Sequence, residues 1–211
     1  MGIKELVSRN GILNLTYKAF SLVRSGYIRR SFNYGNGFSI GLTTVWMGGE
    51  GAKIGQKFKM GRRCRVEIIH SHNGLKYAPH LIVGDRVSLN DDVHIACAHE
   101  IFIGNDVLMA SKIFISDHDH GSYTGDEPDT PNSAPNDRLL NLKPVIIGDR
   151  VWIGEMVSVL PGVKIGAGSI IGAGSVVTKS IPEGCIAVGS PARVVKKYNT
   201  SSGLWEAFRA E

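Results

Sequence analysis

From Ile147 the chain falls into six-residue blocks, IGDRVW, IGEMVS, VLPGVK, IGAGSI, IGAGSV and VTKSIP, each opened by an aliphatic residue, at 147, 153, 159, 165, 171 and 177. The same phase returns upstream as VGDRVS and LNDDVH from Val83, as IGNDVL and MASKIF from Ile103, and more raggedly as IGQKFK and MGRRCR from Ile54. A six-residue period is too short for a helix-turn unit and too long for plain strand alternation; it suits a short strand plus a tight corner. On this reading the opening aliphatic points inward. The small residue after it permits a corner with unusual backbone angles, and the fifth position, often Val or Ser, again fits inside. Three blocks close one triangular coil, and successive coils stack at the roughly 4.8 Å spacing of neighbouring strands. The expected fold is an all-β solenoid, a parallel β-helix prism.

Composition narrows the alternatives. The 26 glycines recur in phase with aliphatics, which argues against a flexible Gly-rich segment. Cys64, Cys97 and Cys185 form no CxxC pair and no even framework, so neither a disulfide scaffold nor a thiolate zinc site is expected, and reduced thiols in a cytoplasmic protein are. Residues 1–30 carry six basic residues against Glu5 alone, which accounts for the whole formal charge of +5. No basic stripe interleaved with aromatics follows, so a nucleic-acid partner is not indicated. The apolar stretch from Val157 to Val177 contains Pro161, Lys164 and five glycines, unsuited to a membrane-spanning helix. The first twenty residues show no secretory h-region.

The repeat is interrupted once at length. Aliphatic openings at 103, 109 and 115 are followed by the next clear one only at 147, so residues 117–143 form an extruded loop, rich in Pro and Asp, of the length usually kept for function. At its exit stands FISDHDHG, with His118 and His120 between aspartates. Histidine titrates near neutrality, so proton transfer, metal binding and a solvated loop tip all remain open to these residues, with His94 and His99 as further metal candidates.

The run VIIGDRVWIGEMVSVLPGVKIGAGSIIGAGSVVTKSIPEGCIAVGSPARVV resembles the C-terminal signature of the hexapeptide-repeat acyltransferases. More narrowly it resembles the galactoside, maltose and Nod-factor acetyltransferases and the bacterial polysaccharide O-acetyltransferases, over roughly residues 80–198. The resemblance implies a left-handed β-helix, a homotrimer with a site between adjacent prisms, acetyl-CoA as co-substrate and no required metal. It implies His118 as general base on a sugar hydroxyl; His120, which has no counterpart in all relatives, is given a supporting or substrate-contact role. It further implies Asn90 at the acceptor, with Asp91 and Asp92 as neighbours. On the donor side it implies Trp152 on the pantetheine arm, the backbone N–H of Glu155 at the thioester, and Ala173, Thr178 and Lys179 along the CoA groove; Arg193, with Lys196 and Lys197, is the candidate for the nucleotide phosphates. Many relatives carry Ser or Gly where Glu155 stands. A small corner residue is the plainer reading of Asn90, a prism-edge filler that of Trp152, and solvated charge that of Lys196 and Lys197.

The expected organisation is an N-terminal helical or capping segment over 1–38, the β-helix over 39–192, and a C-terminal tail over 193–211, a short terminal helix at most. In the first segment Ile3, Leu6, Val7, Leu13, Tyr17 and Phe20 make a helical stripe broken by Gly11. Capping the open end of the solenoid is its preferred role; peripheral contact of this basic segment with anionic lipid at the inner face of a membrane is the other. The resulting expectation is an acetyl-CoA-dependent O-acetyltransferase acting in bacterial surface polysaccharide biosynthesis, on a sugar or a lipid-linked glycan. N-acetylation of a nucleotide-linked amino sugar, and a non-catalytic glycan-binding prism, are the alternatives.

Overall fold

The computed structural model describes residues 12–208, with side chains from residue 15 onward. The chain winds as a three-sided parallel β-helix. Its faces are sheets of nine, six and five strands among the described residues, and up to Cys185–Val188 successive strands of the faces alternate from one face to the next. Each face is built on a ladder of inward aliphatic residues. On the first, Ile40, Met60, Leu89, Met109, Ile153, Ile171 and Ala187 stack in register. On the second the ladder runs Val66, Ile95, Ile115, Val159 and Val177; on the third, Ile54, Val83, Ile103, Ile147 and Ile165. These residues are buried, each contributing about 1.5–3 kcal/mol of burial relative to exposure for a Val- or Ile-sized side chain. Openers and fifth positions both lie inside, as the six-residue phase requires.

The corners differ from the expectation. The small second residue is needed for contact between coils and not for backbone angle: a Cβ on Gly154 would stand 2.7 Å from the Ala173 nitrogen, and one on Gly166 2.2 Å from that of Glu183. The left-handed backbone falls at the fourth position, held by Arg86, Asp92, Asp106, Arg150 and Met156. Asn90, expected to serve the corner through such a conformation, is therefore not the residue that turns the chain; Asp92 is, with φ of 61°.

The third position supplies a rung between coils. A side-chain oxygen there accepts the third-position N–H of the preceding coil: Asp85 from Gln56, Asn105 from Asp85, Asp149 from Asn105, Asp91 from Arg62, and Glu155 from Ser111 at 2.8 Å. The Glu155 carboxylate thus closes a coil-to-coil hydrogen bond. Glu155→Gln keeps an acceptor and should stay within about 0.5 kcal/mol of the native protein, whereas Glu155→Leu should cost about 1 kcal/mol in urea denaturation. Equal midpoints for the two would show the rung to be idle.

The N-terminal segment is helical, as expected, but faces the prism differently, and the C-terminal tail departs from expectation. A helix spans Ile12–Ser31 and lies against the first coil. It does so through Ser25, whose hydroxyl accepts from the Ile40 N–H at 2.9 Å, through Arg24, which donates to the Thr44 carbonyl at 2.8 Å, and through Tyr17, whose hydroxyl accepts from the Leu42 N–H. The helix therefore meets the sheet edge with polar groups. Phe20, placed by the sequence in the inward stripe, is 64% exposed, and Val23 is 74% exposed. Ile3, Leu6, Val7 and the break at Gly11 lie outside the described residues, as does the side chain of Leu13. At the other end no helix forms among the described residues: Arg193–Asn199 and Leu204–Ala207 are antiparallel strands that extend the first face beyond Cys185–Val188. Val194 pairs with Ala187 there, and this alternation of Val, Tyr and Trp suits a sheet surface better than a helix. No described helix is long and apolar enough to cross a membrane.

Candidate active site

The loop leaves between the second and third faces. Strand Phe114–Ser116 of the second face precedes it, and Val145–Ile147 resumes the third in register with Glu100–Ile103. Between them the chain is not wholly irregular: His118–His120 pairs antiparallel with Leu140–Leu142, so the base of the loop is a two-stranded ribbon. His118 is thereby fixed from both sides, by the coil before it and the ribbon across from it.

At this exit Asp117 turns inward and is fully buried, 0% exposed. Its carboxylate accepts the backbone N–H of Ala98 at 2.9 Å and of His99 at 2.8 Å, both from the coil below. It also lies 2.9 Å from Nδ1 of His118, whose side chain is 9% exposed. Ser116 Oγ donates to the His118 carbonyl at 2.9 Å and stands 3.4 Å from Nδ1. An ionised carboxylate only accepts, so Nδ1 carries the proton and Nε2 of a neutral His118 keeps its lone pair. Burial pushes the Asp117 carboxyl up, but the hydrogen bonds from His118, Ala98 and His99 outweigh it and hold the group below the ordinary carboxylate value.

A depressed folded value means that the Asp117 contribution to stability is complete above its unfolded value, about 3.9, and is lost as pH falls through the folded one. Acid unfolding of Asp117→Asn should therefore be less steep below about pH 4 than that of the native protein. Superimposable acid limbs would assign the steepness to other carboxylates.

Comparison with known proteins decides the family. The family described as bacterial transferase hexapeptide (six repeats) matches residues 144–179. WbbJ of Escherichia coli K12, which carries the name of a lipopolysaccharide biosynthesis O-acetyl transferase, is 50% identical over 127 residues, 60% of this chain and 65% of its own length. WcaF of the same strain, named as a colanic acid biosynthesis acetyltransferase, is 31% identical over 149 residues, 70% of each chain. The chain belongs to the hexapeptide-repeat transferases. It spans about two thirds of the length of these relatives. The fold is shared with AntD, an N-acyltransferase from Bacillus cereus solved with dTDP and 3-hydroxybutyryl-CoA: TM-score 0.67, 17% identity, 85% of this chain and 90% of that one.

Within one chain of this transferase fold, the candidate residues fall on two different corners. His118 and His120 stand at the corner between the second and third faces, where Thr178 and Lys179 also follow strand Val176–Val177. Asn90, Asp91, Glu155 and Ala173 stand at the corner between the first and second, with Trp152, 50% exposed, beside them on the first face. A whole face, on the order of 15 Å of extended strand, separates the two groups. Arg193 opens the antiparallel extension of the first face and is exposed, its Nη1 donating to the Ala192 carbonyl. The Asp91 carboxylate is engaged by Arg62, through its N–H and its guanidinium, whereas the Asn90 side chain is exposed. Above Glu155 the next rung is Ala173, which offers no acceptor to the Glu155 N–H.

The four histidines weighed as metal ligands are not gathered. His94 lies on the second face with Nε2 2.7 Å from Glu67. The three cysteines are buried and unpaired. Burial, and then the charge of Asp117, push the Cys97 thiol up, so the cysteine nearest the site is held away from its nucleophilic form. Sequence reasoning missed Asp117 as the partner of His118. The DHDH run shows two aspartates beside two histidines, but only the coil geometry tells which one turns inward.

Proposed function

We propose that this chain is an acetyl-CoA-dependent O-acetyltransferase whose acceptor is a sugar hydroxyl of a bacterial surface polysaccharide or its precursor. The observation that carries the proposal is the Asp117–His118 pair at the mouth of the extruded loop. Nε2 of His118 takes the hydroxyl proton as the oxygen attacks the thioester carbonyl. The buried Asp117 charge stabilises the imidazolium, which then returns the proton to the departing CoA sulfur. The C–S bond breaks as the C–O bond forms, with no acyl-enzyme, in keeping with the suppressed Cys97 thiol. The N–H of Glu155 is assigned to the developing oxyanion, Trp152, Ala173, Thr178, Lys179 and Arg193 to CoA, and Asn90 and His120 to the acceptor.

The division of these residues between two corners supports a homotrimer in which the His118 corner of one prism faces the Asn90 and Trp152 corner of the next. The names of WbbJ and WcaF support O-acetylation in surface-polysaccharide assembly. The test is thiol release from acetyl-CoA with maltose, methyl galactoside, rhamnose and glucosamine as acceptors, with CoA binding followed by calorimetry. Release that depends on a hydroxyl acceptor supports the reading. Release with glucosamine alone, and an amide as product, would move the activity to N-acetylation, and absence of CoA binding would remove acyl transfer altogether.

A further inference from the structure

A second excursion leaves the prism at the same corner as the first, two coils earlier. Between strands Arg65–Ile68 and His80–Val83 the chain rises into a hairpin, Ser71–His72 paired antiparallel with Leu75–Lys76, closed by Asn73 and Gly74. Nothing in the six-residue phase announces it, and none of its residues has a role in the site described above.

The hairpin is joined to the extruded loop. Asn73 Nδ2 donates to the Asn136 carbonyl at 2.7 Å, and Nε2 of His72 lies 3.2 Å from the Arg138 carbonyl, which can only accept. The same Nε2 lies 3.1 Å from Asn73 Nδ2, which can only donate, so the tautomer of the ring sets which of the two contacts it completes. Arg138 in turn holds the loop to itself, donating to Ser133 Oγ, the Ser133 carbonyl and the Tyr123 hydroxyl. The ring of His72 meets that of His120 edge-to-face at 5.1 Å, and His120 lies 6.4 Å from the ring of His118. Three imidazoles thus run from the hairpin tip to the Asp117–His118 pair, across two excursions about 45 residues apart in sequence.

We propose that hairpin 69–79 and loop 117–143 act as one clasp on the acceptor side of His118, in which His72 is a positioning residue that fixes the loop and the ring of His120 against the acceptor sugar. The class of ligand rests on the acetyl-transfer reading; the clasp itself rests on the contacts alone. The rings of His120 and Tyr123 are exposed, and flat rings with a polar edge suit the mixed apolar and hydroxyl surface of a sugar. Removing the hairpin contacts would leave the prism intact, because neither His72 nor Asn73 belongs to the core.

Two readouts on the full chain test this. Hydrogen exchange reads the clasp. In the double variant His72→Ala with Asn73→Gly, which keeps the left-handed turn of Asn73, amides of 119–142 should exchange about ten-fold faster with no change in the prism strands. Unchanged exchange in the loop would overturn the clasp. Steady-state thiol release reads its purpose. With whichever sugar of the panel supports turnover, His72→Ala should raise the acceptor KM about five-fold or more while the KM for acetyl-CoA and the melting temperature hold. His72→Gln, whose amide offers a donor for the Arg138 carbonyl and an acceptor for Asn73, should recover most of that loss. Equal changes in both KM values, or loss without rescue by Gln, would reduce the hairpin to a structural element and overturn the positioning role. A native protein that neither binds CoA nor releases thiol defeats the acetyl-transfer reading, while the exchange result still decides the clasp.

Discussion

His118→Ala should lower acceptor-dependent thiol release from acetyl-CoA by a factor of about 100 or more, the range found when a positioned general base is removed. CoA affinity should be retained, since the proposed role of His118 is to move the acceptor proton and not to hold CoA. The prism should melt within a few degrees of the native protein, because Asp117 keeps its hydrogen bonds from Ala98 and His99 when the imidazole is gone. Equal turnover in the two proteins would sink the assignment of the base. A large fall in melting temperature would instead mean that the ribbon His118–His120 with Leu140–Leu142 helps to hold the coils together.

Asp117→Ala should be the more damaging change to the fold. The native carboxylate is fully buried and joined to two amides and one imidazole. Deleting it leaves those donors facing a small void, and each buried donor left without an acceptor costs about 1–3 kcal/mol. The measurement is the shift in urea midpoint at unchanged slope. Activity should fall with it, because Nδ1 of His118 loses the acceptor that fixes its tautomer. Asp117→Asn separates the two effects: its oxygen can still accept from the coil, but its amide cannot serve as a charge beside an imidazolium. Stability should be lost only in part, while turnover falls nearly as far as in His118→Ala. A stability cost under about 1 kcal/mol for Asp117→Ala would show that water replaces the carboxylate, contrary to its enclosure.

Much of the prism is legible in the sequence because one physical constraint repeats. A side chain at each opener must fill the interior, so Ile147, Ile153, Val159 and Ile165 announce their own positions, and the loop betrays itself as a gap between Ile115 and Ile147. His118 is readable as the polar residue at that gap. What escapes is whatever depends on contacts between coils. That the second-position glycines admit a neighbouring backbone, and that the turn is made by Arg150 or Met156, follows from stacking, which the local pattern does not express. The burial of Asp117 is hidden for the same reason. Hairpin 69–79 is hidden because its upstream coil is ragged, with Arg and Cys in place of the cleaner IGAGSI rhythm. The inward face of the helix escaped because Arg24 and Ser25 belong to a polar side, although hydrogen bonding to the first coil is what a polar side can do best.

The register between coils also sets what can change without harm. Leu89 stacks on Met109 and Ile153 on Ile171, offsets of 20 and 18 residues, whereas Met109 stacks on Ile153 across 44 with the ladder unbroken. The solenoid is indifferent to how much chain is parked at a corner, and doubling a flexible loop adds only about 0.6 kcal/mol to its closure. The corner between the second and third faces therefore works as a socket. Inserts of different length and sequence can be exchanged there, one per coil, so new acceptor preferences can be tried by lineage or by design while the coil that holds His118 stays as it is.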